Sequence, residues 1–341
     1  MSKPKFIDLF SGAGGFTDGF EKAGFQSVFA VDSWSDAATT YRYNHPQTTF
    51  LEKDIRKVEP LKVLKELKLK KEDIDAIVGG PPCQGFSMAG KRNVGDPRNQ
   101  LFREFVRIIH KTEPKFLVME NVKGLLTMVT LKGEKVIDII EQEFRDIGYE
   151  VTYKTLNTAE YGVPQKRERV VFIANSIGLH NGILFPKKTH GPDSEEKKPF
   201  VTVKEAIMDI AKKNDPDDKW NHKPMQHNKK VQKRFSMIPP AGDMAKDQSF
   251  LPRKLRRKAY AFNCKRLALN EPSVTLIPGH YAFPVHPTLP RTITVREAAR
   301  LQTFWDERIF FGRRDSQALL VGNAVPMLFA EAIASRFRNF I

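Results

Sequence analysis

The chain has 341 residues, 28% of them charged, with 56 Lys or Arg against 40 Asp or Glu and a formal net charge of +16. That length supplies one large domain or two of ordinary size with a full core, and its two cysteines, Cys83 and Cys264, exclude a disulfide framework and fit a reducing compartment. The N-terminus leads into a strand-like segment with no signal-peptide hydrophobic region, and no apolar stretch approaches the roughly eighteen residues that span a bilayer, so a soluble cytoplasmic protein is expected, with no membrane partner.

Up to about residue 178 strand and helix signals alternate. Lys5-Phe6-Ile7-Asp8-Leu9-Phe10 reads as a strand, Ser11-Gly12-Ala13-Gly14-Gly15 as a glycine-rich turn, and Phe16 to Ala23 as a helix stopped by Gly24. Ser27 to Val31 is the next strand and ends at Asp32, 20 residues after Gly12. In such a βαβ unit the turn lets a ligand approach the backbone, and the acid accepts hydrogen bonds from ribose hydroxyls. Thr17 stands where the third glycine of a dinucleotide fingerprint would fall, which favours a nucleoside cofactor over one bearing a pyrophosphate. Asp75 to Gly80 forms a further strand, Asp96-Pro97 caps a helix reaching about His110, and Lys115 to Glu120 forms another buried strand. Glu134 to Ile147 is an amphipathic helix stopped by Gly148, and Glu150 to Leu156 with Arg169 to Ala174 are closing strands. The alternation predicts an α/β fold with a mostly parallel sheet covered on both faces.

From Leu179 the texture changes. Turn-rich stretches such as His190-Gly191-Pro192-Asp193 alternate with basic runs such as Arg253-Lys254-Leu255-Arg256-Arg257-Lys258, and Val203 to Ala211 is the clearest helix. Between Leu179 and Pro290 stand 21 Lys or Arg against 11 Asp or Glu, so more than half of the net charge sits in this segment, as a surface tracking phosphates requires. Trp220, Phe235, Tyr260, Phe262, Tyr281 and Phe283 are interleaved with the charges and predict a small core. Helical periodicity returns in Val295 to Phe304 and in Ala324 to Phe337. The expected division is a catalytic and cofactor-binding domain at 1–178, a basic irregular domain at 179–304, and C-terminal helices at 305–341 that complete the first.

Cys83 is the most telling residue. It lies in Gly79-Gly80-Pro81-Pro82-Cys83-Gln84-Gly85-Phe86-Ser87, after the apolar run Ala76-Ile77-Val78, which places a thiol at the C-terminal lip of a buried strand. Open α/β sheets bind ligands at that edge, and an exposed sulfur near positive charge is held partly as the nucleophilic thiolate. A buried structural cysteine is the plain alternative on residue type alone.

Six blocks, in this order and spacing, closely resemble the DNA cytosine-5 methyltransferases of bacterial restriction-modification systems. They are Asp8-Leu9-Phe10-Ser11-Gly12-Ala13-Gly14-Gly15, Gly80-Pro81-Pro82-Cys83-Gln84-Gly85-Phe86-Ser87, Glu120-Asn121-Val122, Gln165-Lys166-Arg167-Glu168-Arg169, Arg296-Glu297-Ala298-Ala299-Arg300-Leu301-Gln302 and Gly322-Asn323-Ala324-Val325-Pro326. The resemblance runs from Phe6 to about Arg336. It implies a Rossmann-like S-adenosylmethionine-dependent methyltransferase fold with a smaller, irregular target-recognition domain in the basic segment, where Thr275-Leu276 resembles a short element found there. It also implies that Cys83 adds to carbon 6 of a flipped-out cytosine, that Glu120 acts at ring nitrogen 3, and that Arg167 contacts the pyrimidine oxygen with Arg169 in support. Glu120 as a turn cap, and the two arginines as a solvated face or a salt-bridged strand edge, are the plain alternatives.

For the cofactor the resemblance implies Phe10, Gly12 and Gly14 around the methionine moiety, Asp32 on the ribose, Asp54 and Ile55 at the adenine, and Pro82 and Asn323 in the same pocket. The family's aromatic beside the ribose acid is displaced, because Ser33 follows Asp32 and Trp34 comes one later. Thr303-Phe304-Trp305 departs from relatives that carry proline after the phenylalanine. Double-stranded DNA is the implied partner, contacted by Gln84, Ser87, Arg92, Arg98 and Thr275, with a cognate endonuclease acting on the same site, a monomeric, nucleoid-associated state, and no metal. A transfer-RNA cytosine-5 methyltransferase would share the fold, but its Cys-Phe-Thr signature is absent, Cys264 lying in Asn263-Cys264-Lys265. A non-enzymatic DNA-binding module would need neither Cys83 nor Glu120.

Overall fold

The computed structural model describes residues 2–82, 101–130, 133–213, 215–257, 265–279 and 283–341. Cys83, Gln84, Ser87, Arg92 and Arg98, together with Tyr260, Phe262, Cys264 and Tyr281, lie outside them. The chain forms two compact units, one of Met1–Asn157, Glu168–Lys187 and Phe329–Ile341, the other of Thr158–Arg167 and Lys188–Leu328. In this division 179–187 goes with the first unit, and 158–167 and 305–328 with the second.

The first unit contains β1 (Lys5–Leu9), α1 (Gly15–Lys22), β2 (Gln26–Asp32), α2 (Ser35–Asn44), β3 (Thr49–Glu52), α3 (Pro60–Glu66), β4 (Ile74–Gly79), α4 (Leu101–Thr112), β5 (Phe116–Val122), α5 (Val136–Asp146) and β6 (Thr152–Asn157). The two-residue β7 (Gln165–Lys166) belongs to the second unit, and β8 (Glu168–Asn175) returns to the first. Among the described residues seven strands form one sheet in the order β3-β2-β1-β4-β5-β8-β6. Neighbours from β3 to β5 are parallel, and β8 is antiparallel to both β5 and β6. The central strands are apolar on both faces, as a sheet covered by helices on both sides demands. α4 buries Phe102, Phe105 and Ile109, α5 buries Ile137, Ile140 and Phe144, and the rings of Phe105 and Phe144 meet edge to face. As expected, the last helix, α10 (Met327–Arg338), packs beside the first: Phe337 meets Phe20 of α1 and stacks on Phe116 at 4.7 Å.

The second unit is sparse in regular structure. It contains α6 (Val203–Ile207), α7 (Lys229–Ser236), β9 (Ser273–Val274), α8 (Val295–Leu301) and α9 (Arg314–Asn323), with β9 parallel to β7. The helix foreseen at Val203 to Ala211 keeps its start, set by a capping box between Thr202 and Glu205, but its α-helical part stops at Ile207. α7 was not foreseen in its lysine-rich run; the Asn228 side chain caps it by accepting from the Val231 amide. The small core predicted among the basic runs is present as Phe235, Ile238, Met244, Leu251, Leu255 and Val285.

Buried arginines bonded to backbone carbonyls tie this unit together. Arg266 donates to the carbonyls of Phe235, Ile238, His286, Pro287 and Leu289. Arg296 donates to those of Trp220 (3.0 Å), Trp305 (3.0 Å) and Arg308 (2.5 Å). Among the described residues Arg314–Arg338 is long and apolar enough to cross a membrane, contrary to expectation. It is mostly buried, and Ala324-Val325-Pro326 separates α9 from α10, so its apolar character serves the core.

Candidate active site

In the first unit the glycine-rich turn joins β1 to α1 with three residues in the left-handed region: Phe10 (φ 58°), Gly12 (φ 53°) and Gly14 (φ 88°). Glycine meets that requirement without the penalty a Cβ brings. A Cβ on Gly14 would stand 2.4 Å from Nε2 of the buried His45, whereas one on Gly12 would meet no described atom within 4 Å. Asp32, at the end of β2, accepts from the Gly12 amide (2.9 Å) and the Trp34 amide (3.0 Å), which locks the acid to the turn. Burial pushes the Asp32 carboxyl above the usual carboxylate range, and these amide bonds oppose the shift. Ser33 is exposed and Trp34 half-buried. Ile55 is buried, while Asp54 accepts from the Arg56 amide and from its guanidinium, which holds its carboxyl down at about 2.

Glu120 stands near the C-terminal end of β5. The antiparallel register sets Val122 opposite Arg169 and Glu120 opposite Val171. Arg169 and Glu120 therefore project on one face, and Arg169 Nε donates to Glu120 Oε1 at 2.7 Å with both side chains about one-tenth exposed. The other carboxyl oxygen lies 3.5 Å from where a Cβ on Gly80 would stand. Next in sequence, Asn121 Nδ2 donates to the Pro81 carbonyl at 3.1 Å. The Glu120-Asn121-Val122 block thus anchors the half-buried Pro82 segment that enters Cys83. The sequence alone would not reveal this link.

In the second unit the remaining blocks converge through backbone hydrogen bonds. Arg167, 2% exposed, donates to the carbonyls of Gly322 (3.0 Å) and Leu276 (3.4 Å). Its Nη1 thus serves the main chain. Gln165 donates to Gln302 and accepts from the Leu276 amide, and Gln302 donates to the Val321 and Ala324 carbonyls. Thr275 Oγ1 donates to the Lys166 carbonyl, and Asn323 is exposed at the end of α9. Arg296 and Glu297, which read in isolation as exposed helix charges, are both fully buried; Glu297 caps α8 with Thr294 and pairs with Arg291 at 2.7 Å. Cations on α7 (Lys229, Lys230, Lys233) and in the next basic run (Arg253, Lys254, Arg256, Arg257) are exposed.

A doubly wound sheet with a glycine-rich first turn, an acid closing β2 and a second acid at the end of β5 defines a nucleoside-cofactor enzyme of the methyltransferase type. The profile of the C-5 cytosine-specific DNA methylase family matches residues 4–339, and the chain belongs to that family. Type II methyltransferase M.DdeI of Desulfomicrobium norvegicum is 36% identical over 97% of this chain and 87% of its own length. Type II methyltransferase M1.HphI of Haemophilus parahaemolyticus is 39% identical over 96% and 85%. A crystal structure assigned as a prophage-encoded DNA modification methyltransferase (E. coli) superposes with a TM-score of 0.75 at 26% identity, covering 99% of both chains. The activity is DNA cytosine-5 methylation, DNA is the substrate, and S-adenosylmethionine is the methyl donor. The residues present fit that donor: the left-handed turn leaves open room at Gly12, and Asp32 is fixed beside it.

Proposed function

We propose that the protein is a sequence-specific DNA cytosine-5 methyltransferase of a restriction-modification system, acting in the cytoplasm on a cytosine flipped out of the duplex. The observation that carries the mechanism is the largely buried Glu120–Arg169 pair, bonded through Asn121 to the segment that enters Cys83. Carbon 5 of cytosine is a weak nucleophile. Attack of the Cys83 thiolate on carbon 6, with Glu120 at ring nitrogen 3, moves electron density to carbon 5. Arg169, beside Glu120, is the guanidinium best placed to hold the pyrimidine oxygen, and Arg167 is a framework residue. S-adenosylmethionine supplies the methyl group; loss of the carbon 5 proton and release of the sulfur then free Cys83. Phe10, Gly12, Gly14 and Asp32 would hold the donor, with Ser33, Asp54, Ile55, Pro82 and Asn323 as further contacts.

Relatives named as Type II methyltransferases support the restriction-modification setting, with a cognate endonuclease acting on the same sequence. The basic region at 179–304 is the target-recognition domain, and its exposed cations on α7 and in the run from Arg253 to Arg257 neutralise phosphates. Flipping costs about a few kcal/mol, which such contacts offset. Cys83→Ser should abolish methylation while leaving S-adenosylmethionine affinity within about twofold, and the wild type alone should form a denaturation-resistant adduct with 5-fluorocytosine DNA. Turnover by Cys83→Ser would refute the mechanism.

A further inference from the structure

The glycine-rich turn is strained: Phe10, which is not glycine, holds φ 58°. Such a conformation persists only where the surroundings over-determine it. Asp8 precedes the turn on β1 and Thr17 follows it on α1, and both are fully buried. Thr17 Oγ1 donates to Asp8 Oδ2 at 2.7 Å and lies 2.6 Å from the Tyr41 hydroxyl of α2. A chain of one carboxyl and two hydroxyls therefore staples the two stems of the turn to each other and to α2. Tyr41 is itself held by ring contacts with His45 (4.5 Å) and Phe50 (4.9 Å), and His45 occupies the space beside Gly14. Valine and phenylalanine would fill the same volume without desolvating polar groups, so the network contributes direction rather than bulk.

We propose that Thr17 and Tyr41 are positioning residues for the methyl donor, fixing the turn from Phe10 to Gly14 in the shape that binds it. The inference rests on the reading of this turn as the donor site. Tyr41→Phe and Thr17→Val each remove the directional contact, whereas Thr17→Ser keeps it. In the full-length protein, titration calorimetry with S-adenosylmethionine in the absence of DNA should show Kd raised roughly fivefold by Tyr41→Phe and by Thr17→Val, the equivalent of one ordinary hydrogen bond, and restored by Thr17→Ser. KM for the donor should rise in step, while kcat at saturating donor and KM for DNA stay put. Urea unfolding of each variant separates this from loss of fold. Lower stability with unchanged Kd and unchanged donor KM would overturn the proposal. Asp32→Ala is the control. If it weakens donor binding and the Thr17 and Tyr41 variants do not, only the present inference falls; if it too leaves Kd unchanged, the donor-site reading falls with it.

Discussion

Gly12 and Gly14 stand two residues apart in one turn, yet alanine should affect them differently. At Gly14 a side chain meets two penalties. The left-handed backbone at φ 88° costs about 1–2 kcal/mol. The new Cβ would also stand 2.4 Å from His45 Nε2 and 3.2 Å from a Tyr41 ring carbon, so the imidazole must retreat by about 1 Å to reach ordinary contact. It has nowhere easy to go, being buried against Tyr41 and within 3.7 Å of Asp18 and Glu21. Overpacking of this kind costs about 1–3 kcal/mol, for a total of about 2–5 kcal/mol. Gly12→Ala carries only the backbone penalty, about 1–2 kcal/mol, because no described atom lies within 4 Å of the new Cβ. Its damage should fall on donor affinity instead. Urea unfolding, followed by tryptophan fluorescence at constant m-value, measures both variants, and a Gly14→Ala/His45→Ala double-mutant cycle should return about 1–3 kcal/mol of coupling. Equal losses at the two glycines, or no coupling to His45, would refute the reasoning.

Two further outcomes follow from buried charges. Arg296→Met should strip the guanidinium from the carbonyls of Trp220, Trp305 and Arg308, with Trp305 keeping the Arg308 amide, and lower unfolding free energy by about 3 kcal/mol, with Arg296→Lys recovering less than half; a loss below about 1 kcal/mol in urea titration would contradict this. Burial pushes the Asp8 carboxyl up to about 8, so the folded state keeps a proton that the unfolded chain releases near pH 4. The resulting stability is fully present below about pH 4 and lost as pH rises through about 8, with a ceiling of about 5 kcal/mol. Asp8→Asn should therefore gain on the wild type between about pH 5 and pH 9 in unfolding titrations, and parallel profiles would count against it.

Much of the sheet was legible because the central strands are short, mostly apolar runs: β1, β4 and β5 lie within two residues of their expected limits. Between Asp32 and Asp75 the sequence reading assigns no helix or strand, and α2, β3 and α3 occupy that stretch. α2 reads Ser-Asp-Ala-Ala-Thr-Thr-Tyr-Arg-Tyr-Asn, so it buries alanines and one tyrosine instead of an aliphatic stripe. The site was visible as blocks and invisible as geometry. That Arg169 rather than Arg167 reaches Glu120 follows from strand register between β5 and β8, which local patterning does not encode. The burial of Arg296 and Glu297 depends on carbonyls and capping partners supplied by other segments, so charge alone pointed to solvent.

Among the described residues Arg266 hydrogen-bonds its neighbours through main-chain carbonyls, three of them in His286, Pro287 and Leu289. Every amino acid offers that acceptor. Side chains along the loop can therefore drift without loosening the guanidinium that anchors it, so its surface is free to change while the frame stays still.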